Sequence, residues 1–233
     1  MWPRAHSGAR ASGELYTTLK QLSPTRTVSA YPAVRFLLSA NHAPQFPVDD
    51  GAEVAVAGRS NSGKSSAINA LTQRRSLART SKTPGQTQLI NFFELAPDRR
   101  LVDLPGYGFA KVPAHVRDHW QELVGGYLEM RNSLMGLLLI VDARRGLNDD
   151  DRGLMGWANV RGRRVHVLLS KSDKLSRQHA QRVLASVRDE LPTQASAQLF
   201  SAVSKEGVEE GQRALDALLA NKKPGGSGGR ATG

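Results

Sequence analysis

Glu53-Val-Ala-Val-Ala-Gly-Arg-Ser-Asn-Ser-Gly-Lys-Ser-Ser66 decides the fold of this 233-residue chain. Glu53 to Ala57 is a short apolar run of the kind that makes a buried strand, and Lys64 to Leu71 has helical spacing. Between them Gly58 to Ser65 matches G-x-x-x-x-G-K-[ST] in full, in the strand, loop, helix context that the motif requires. Gly58 and Gly63 let the backbone curl, so that N–H groups along Arg59, Ser60, Asn61 and Ser62 turn toward phosphate oxygens. The helix that follows adds its positive end. Lys64 reaches for the β- and γ-phosphates, and the Ser65 hydroxyl is a ligand for Mg2+, a hard cation that takes oxygen donors. A chance match in a glycine-rich turn is the competing reading, and the flanking strand and helix weigh against it.

Outward from this loop, apolar runs bounded by turn residues recur at 89–95, 101–103, 136–142, 165–169 and 198–201. Helical spacing falls between several of them, at 114–131, 149–160, 176–191 and 208–220. Such alternation implies an α/β fold of P-loop NTPase type: three layers, a mostly parallel sheet with helices on both faces, ligands at the carboxyl ends of the strands. One domain follows, over 35–220. Residues 1–34 read as a flexible basic N-terminal extension, polar and punctuated by Pro3, Pro24 and Pro32, and 221–233 as a disordered Gly-rich basic tail. An organelle transit peptide is the alternative for the first segment, but its serine content and amphipathic character are weak.

Two further motifs follow the phosphate loop in order. Asp103-Leu104-Pro105-Gly106 ends an apolar run where a carboxylate can reach the magnesium shell, and Gly106 can present an unobstructed N–H to a γ-phosphate. Ser170-Lys171-Ser172-Asp173 ends another run. A carboxylate at Asp173 can accept both the N1–H and the N2 amino protons of guanine, whereas adenine offers neither, so guanine is the expected base. Lys171 lays its stem along that base, and a backbone N–H in Phe200-Ser201-Ala202 can meet the guanine O6. Each tetrapeptide alone would pass for a strand-ending turn; their order gives them weight.

The charge is +11, from 32 Lys and Arg against 21 Asp and Glu, which favours a polyanionic partner. Residues 1–40 carry +4, Thr72 to Lys82 carries +4 through Arg74, Arg75, Arg79 and Lys82, and 221–233 carries +3, so the rest of the chain sums to zero. Cysteine is absent, which excludes disulfide frameworks, thiolate metal sites and cysteine nucleophiles. No apolar stretch approaches the ~18 to 20 residues of a membrane span, and the Met1 end lacks the apolar core of a secretory signal, so no membrane partner and a cytoplasmic location are expected.

Taken together, Gly58 to Ser65, Thr87, Asp103 to Gly106, Ser170 to Asp173 and Ser201-Ala202 resemble the nucleotide motifs of translation-factor-related GTPases. More narrowly, Gly58 to Ser66, Thr83-Pro-Gly-Gln-Thr-Gln-Leu-Ile-Asn91, Val102-Asp-Leu-Pro-Gly-Tyr-Gly-Phe-Ala110, Val141-Asp-Ala-Arg144 and Lys171-Ser-Asp-Lys174 are similar to the EngB (YihA/YsxC) family, within the TrmE-Era-EngA-EngB-Septin-like superfamily. The resemblance implies a monomeric switch that binds GTP or GDP, serves assembly of the large ribosomal subunit on ribosomal RNA, and is linked to cell division and septation. Within Gly85, Gln86, Thr87, Gln88 and Leu89 it aligns Thr87 with a switch threonine that joins Ser65 on Mg2+, Thr83 being the nearby competitor. Ser170 departs from the commoner Asn or Thr. Asn61 resembles an Asn that helps coordinate K+ in related GTPases, and with Lys64 and Gly106 it makes the expected catalytic set. Tyr107 stands where many GTPases place a water-positioning Gln, so slow intrinsic hydrolysis is expected. A nucleotide-gated RNA-binding structural factor with negligible hydrolysis is the alternative.

Three other signals are set aside. His115 and His119 lie one helical turn apart, but Val116 replaces the Glu of H-E-x-x-H, so an exposed helix face is expected. Asp149 to Asp151 reads as the negative first turn of a helix. His166, inside an apolar strand, reads as a core histidine rather than a base.

Overall fold

Apolar runs of strand length alternate with amphipathic helical spacing, and the computed structural model, which describes residues 30–78, 89–108 and 114–220, turns that alternation into layers. Its elements are β1 (Arg35–Ala40), β2 (Ala52–Ala57), α1 (Lys64–Leu71), β3 (Ile90–Ala96), β4 (Arg99–Asp103), α2 (Ala114–Met130), β5 (Leu134–Asp142), α3 (Asp149–Val160), β6 (Arg164–Ser170), α4 (Arg177–Glu190), β7 (Ala195–Leu199) and α5 (Val208–Leu219). One sheet forms in the order β1-β3-β4-β2-β5-β6-β7. Strands β4, β2, β5, β6 and β7 are parallel, and β3 is reversed against both β4 and β1. The reversal follows from the connection: Pro97 and Asp98 alone separate β3 from β4, too short a link for a crossover, and Asp98 closes the turn at φ 59.

Alternate residues of the strands feed two cores. Val54, Val56, Leu138, Ile140 and Leu168 pack with Ile68 and Leu71 of α1 and Leu215 of α5. Ala55, Leu137, Leu139 and Val167 pack with Tyr127 of α2, Met155 of α3 and Leu184 of α4 on the other face. β5 lies between covered faces and is buried at every residue, which is why it reads as an unbroken apolar run. From β2 the chain passes to β3 and β4 on one side and then to β5 on the other. The carboxyl end of β2 is therefore the point where the winding reverses and a crevice opens.

The opposite end of β2 is pinned by buried charge. Glu53, fully buried, accepts Arg131 Nε (2.9 Å) and Nη2 (2.7 Å), Tyr127 Oη (2.9 Å) and Arg100 Nε (2.8 Å). A carboxylate without such partners would not remain charged in a core.

Most strand ends move by one or two residues, and three departures from the sequence pattern go further. β1 has no counterpart in it, because Arg35 and Phe36 are exposed and Leu37 to Ser39 half-buried, leaving no alternation to read; pairing with β3 defines the strand. β7 was expected at 198–201 and lies at Ala195–Leu199, where small and polar residues carry little strand signal before β6 pairs with them. The expected boundary at residue 34 cuts through packing: Tyr31 and Val34 are buried in the α1/α5 core, and Tyr31 Oη donates to Asp216 Oδ1 at 3.0 Å. The remainder of the expected N-terminal extension and the whole C-terminal tail lie outside the described residues.

Candidate functional site

At the carboxyl end of β2 the chain leaves the sheet as the loop Gly58 to Gly63 and enters α1 at Lys64. Only glycine fits at Gly58, where a Cβ would stand 2.5 Å from Ile140 O and 2.8 Å from Ser62 Oγ. Gly63 caps α1 at φ 96 and Asn61 sits at φ 63, so the loop curls through left-handed backbone. Ser62 N donates to Arg59 O (3.0 Å), and the buried Ser62 Oγ has no hydrogen-bond partner among the described residues.

Asp103, at the end of β4, is buried beside this loop. Lys64 Nζ donates to Asp103 Oδ1, with the two side chains 13% and 7% exposed. Asn91 Nδ2 approaches the other oxygen at 3.5 Å, and Ser39 Oγ donates to Asn91 Oδ1 at 2.6 Å. Leu104 N donates to Val56 O (3.0 Å), and Ser60 N to Tyr107 O (2.9 Å), so Asp103-Leu104-Pro105-Gly106 lies against the phosphate loop. A Cβ at Gly106 would stand 3.3 Å from Ser60 N, a contact tight enough that the phosphate loop would have to give by a few tenths of an ångström. The Tyr107 side chain leaves the crevice: its hydroxyl donates to Asp151 Oδ1 of α3 at 2.5 Å. Burial and the Asp151 charge push the Tyr107 hydroxyl far above its ordinary pKa, which keeps it protonated as the donor.

The end of β6 supplies a third wall. Ser170 Oγ donates to Ser62 O at 2.5 Å, so the serine at this position keeps a bond to the phosphate loop. Lys171 Nζ bridges Asn61 O (2.6 Å) and Asp142 Oδ2 (2.9 Å). Asp142 also takes Arg144 Nε (2.9 Å) and Nη2 (2.6 Å). Although burial acts the other way, these bonds from Arg144 and Lys171 hold the Asp142 carboxyl well below the usual range. Ser172 Oγ donates to Glu206 Oε2 (2.6 Å). Asp173 Oδ1 accepts Ser201 Oγ at 2.6 Å, the main cause of its lowered pKa, with Lys174 Nζ 3.2 Å from Oδ2.

The chain thus gathers the predicted segments Gly58 to Ser65, Asp103 to Gly106, Ser170 to Asp173 and Phe200 to Ala202 at one end of the sheet. One expectation narrows. Phe200 N donates to Leu169 O (2.9 Å) and Ser201 N to Glu206 O (3.0 Å), so two of the three amides expected to face a base are already bonded inside the fold. Leu89 directly precedes β3, while Gly85, Gln86, Thr87 and Gln88 lie outside the described residues. Asp142, Arg144, Asn91 and Asp151 had no place in the expected site. For Asp142 and Arg144 the signal was the Val141-Asp-Ala-Arg144 stretch at the end of the most apolar strand, directly beside Ser170 in register.

His119 Nε2 lies 2.8 Å from Asn41 Oδ1 and its ring meets His42 edge-on at 5.8 Å, while the His115 side chain is outside the description. His166 is buried between Ser196 Oγ (2.8 Å) and Gln198 Oε1 (2.9 Å), in keeping with a core histidine. Asp149 to Asp151 form the first turn of α3, capped by Asn148.

A mostly parallel sheet whose winding reverses at a glycine-lined, lysine-bearing loop defines a P-loop nucleotide-binding domain. Residues 53–171 match the model of a family described as 50S ribosome-binding GTPase. The chain is 48% identical over 189 residues to a probable GTP-binding protein EngB of Stenotrophomonas maltophilia (strain K279a), covering 79% of this chain and 94% of that protein. A namesake from Laribacter hongkongensis (strain HLHK9) is 54% identical over 179 residues, 75% of this chain and 80% of the other. The crystal structure of a probable GTP-binding protein EngB shares the fold with a TM-score of 0.60 at 23% identity, over 73% of this chain and 100% of that one. The chain belongs to the EngB family of GTP-binding proteins and is a GTPase.

Proposed function

We propose that this GTPase is a slow, Mg2+-dependent switch for assembly of the large ribosomal subunit, acting in the cytoplasm as a monomer and linked through assembly to cell division. The observation that carries the switch reading is the seat of Gly106 and Tyr107 on the phosphate loop, through Ser60 N and Tyr107 O, with the Tyr107 hydroxyl fastened to α3. Whatever nucleotide occupies the loop bears directly on that segment and, through Asp151, on α3. Among the described residues no helix is long and apolar enough to cross a membrane.

The residues present fit a nucleotide and Mg2+. The loop from Gly58 curls through left-handed backbone at Asn61 and Gly63, the buried Ser62 hydroxyl has no partner among the described residues, and Ser65 and Asp103 are oxygen donors suited to a hard cation. Ser65 and Thr87 would hold Mg2+, whose charge offsets that on the phosphoryl oxygens. Lys64 would exchange Asp103 for phosphate, Asp173 would read the guanine edge, and Ala202 is the amide left for O6. Tyr107, with its hydroxyl committed to Asp151, supplies no carboxamide to orient water, which supports slow turnover. Asn61, at φ 63 in the phosphate loop, has an exposed side chain and would help hold K+. Turnover in potassium buffer is therefore expected to exceed that in sodium buffer at equal ionic strength; equal rates overturn the potassium reading.

The ribosomal part rests on the basic loop that runs toward 85–89. Its root is fixed to α1: Asn69 exchanges hydrogen bonds with Ala78, Nδ2 to O and N to Oδ1, both 2.8 Å. Arg74 and Arg75 are exposed there, and Arg74 Nη2 donates to Pro32 O at 2.5 Å. Since α1 begins at Lys64, the loop is tied to the phosphate site at one remove. Co-sedimentation with large-subunit precursors is expected to be stronger with a non-hydrolysable GTP analogue than with GDP. Reversing charge at Arg74, Arg75 and Arg79 should weaken it and its salt dependence. Equal sedimentation in both nucleotides counts against the switch.

A further inference from the structure

The body of the chain sums to zero charge, but its arginines are unevenly placed. From the end of α3 into β6 runs Arg161-Gly162-Arg163-Arg164, a tight turn with Gly162 at φ 63 and Arg164 as the first residue of β6. The nearest carboxylate to Arg161 is Glu129, at 3.7 Å, and Arg163 and Arg164 make no ion pair among the described residues. Burial, with the neighbouring Arg161 charge, lowers the Arg163 pKa against an opposing contribution from Tyr127.

This turn opens onto a groove along the outer side of β7. Two contiguous cavities of about 660 and 750 Å3 share His166, Thr193, Ala195, Ser196 and Ala214. Arg188 and Arg213 line the first and Arg164 the second, against a single acid, Glu210. His166 contributes little charge, because burial lowers its pKa. The wall beside Arg164 is the last turn of α5, through Ala217 and Leu218.

We propose that this groove, with the arginine turn at its mouth, docks an RNA strand through its phosphates, independently of the bound nucleotide; the inference rests on the ribosomal reading above and gives it a second contact surface. Guanidinium groups grip phosphate oxygens bidentately, and the Thr193 and Ser196 hydroxyls and Gln194 amide suit 2′-hydroxyls and base edges. A peptide adding as a further strand fits less well. Arg188 Nη2 already donates to Ala197 O at 3.0 Å, which occupies an edge carbonyl such a peptide would need. The groove shares no residue with the basic stretch Thr72 to Lys82 that follows α1, so the two sets of arginines can be tested apart.

The test compares the full chain with its Arg164→Gln/Arg188→Gln/Arg213→Gln variant, which removes the three arginines that line the groove, titrating a labelled large-subunit rRNA transcript at several salt concentrations in GDP and in a GTP analogue. The variant should bind at least ~10-fold more weakly, with a salt slope shallower by about 2 to 3, equally in both nucleotides. GTP turnover and GDP affinity should match the parent, which shows that the variant is folded. The corresponding triple Lys variant should keep the slope. Unchanged RNA affinity and slope in the Gln variant overturn the groove while leaving the ribosomal reading standing if the Arg74, Arg75 and Arg79 variant loses RNA. A parent chain that binds anionic phosphatidylglycerol vesicles and no RNA overturns both.

Discussion

An Asp173→Asn variant is expected to exchange its preferred base, losing GTP and gaining xanthosine triphosphate. The carboxylate is set up as a double acceptor: Ser201 Oγ and Lys174 Nζ keep it ionised, and its pKa is lowered chiefly by the Ser201 bond. An ionised carboxylate matches the two adjacent donors on guanine, N1–H and N2 amino. Asparagine offers one acceptor and one donor, so its NH2 would confront the guanine amino group, while xanthine presents a carbonyl there. Ser201 can still donate to the asparagine Oδ1, so the loop is expected to stay in place. Sites built to hydrogen-bond a group reject its absence by about 10⁴, and the ratio of GTP to xanthosine triphosphate affinity should move by that order. Competition binding with a fluorescent nucleotide measures it. Unchanged preference for GTP would remove Asp173 from base recognition.

The helices were legible because each carries its own signal. α3 begins at Asn148, whose side chain accepts Asp151 N (2.9 Å) while Asp151 returns to Asn148 N (3.0 Å), and α4 begins at Ser176, which accepts His179 N (3.3 Å). Caps, spacing and helix dipole are local physics, and local physics survives in a string of residues. Asp151 shows the limit. Reading it as part of a negative first turn describes its backbone role, but its other work, accepting Tyr107 from 44 residues away, exists only after β4 and α3 lie on the same core. Glu53 is a similar case. At the head of an apolar run it looks like a solvated strand end, and it becomes a buried hub only when Arg100 and Arg131 arrive from other elements.

Within the candidate site, what could be read was what a ligand demands: glycines where phosphates approach, a lysine, carboxylates at strand ends. What could not be read was what the protein demands of itself. Lys171 needs Asp142 to hold it against Asn61 O, and Asp142 needs Arg144; neither contacts phosphate in the motif sense, so no nucleotide argument picks them out. The same holds for the Ser39, Asn91 and Asp103 relay, whose first member sits on a strand that has no periodicity to announce it.

Replacing Lys64 with Met should reduce GTP turnover by about 10² to 10³, the loss associated with removing one aligned donor to a developing anion. The structure adds a second, separable effect. Lys64 Nζ is paired with Asp103 Oδ1, side chains 13% and 7% exposed, so the single variant leaves a nearly buried carboxylate with Asn91 at 3.5 Å as its side-chain contact among the described residues. Breaking a fully buried pair from one side costs about 3 to 5 kcal/mol, an upper bound for this one, so the nucleotide-free Lys64→Met protein should melt below the parent. Adding Asp103→Asn removes the stranded charge. The double variant should recover much of the melting temperature, and turnover should remain lost, because the lysine charge that would meet the phosphates has not been restored and the Asp103 carboxylate charge is gone as well. Calorimetry without nucleotide and phosphate release at saturating GTP read the two effects independently. If the double variant regains both stability and turnover, Lys64 serves the fold alone and the phosphate loop must work without it.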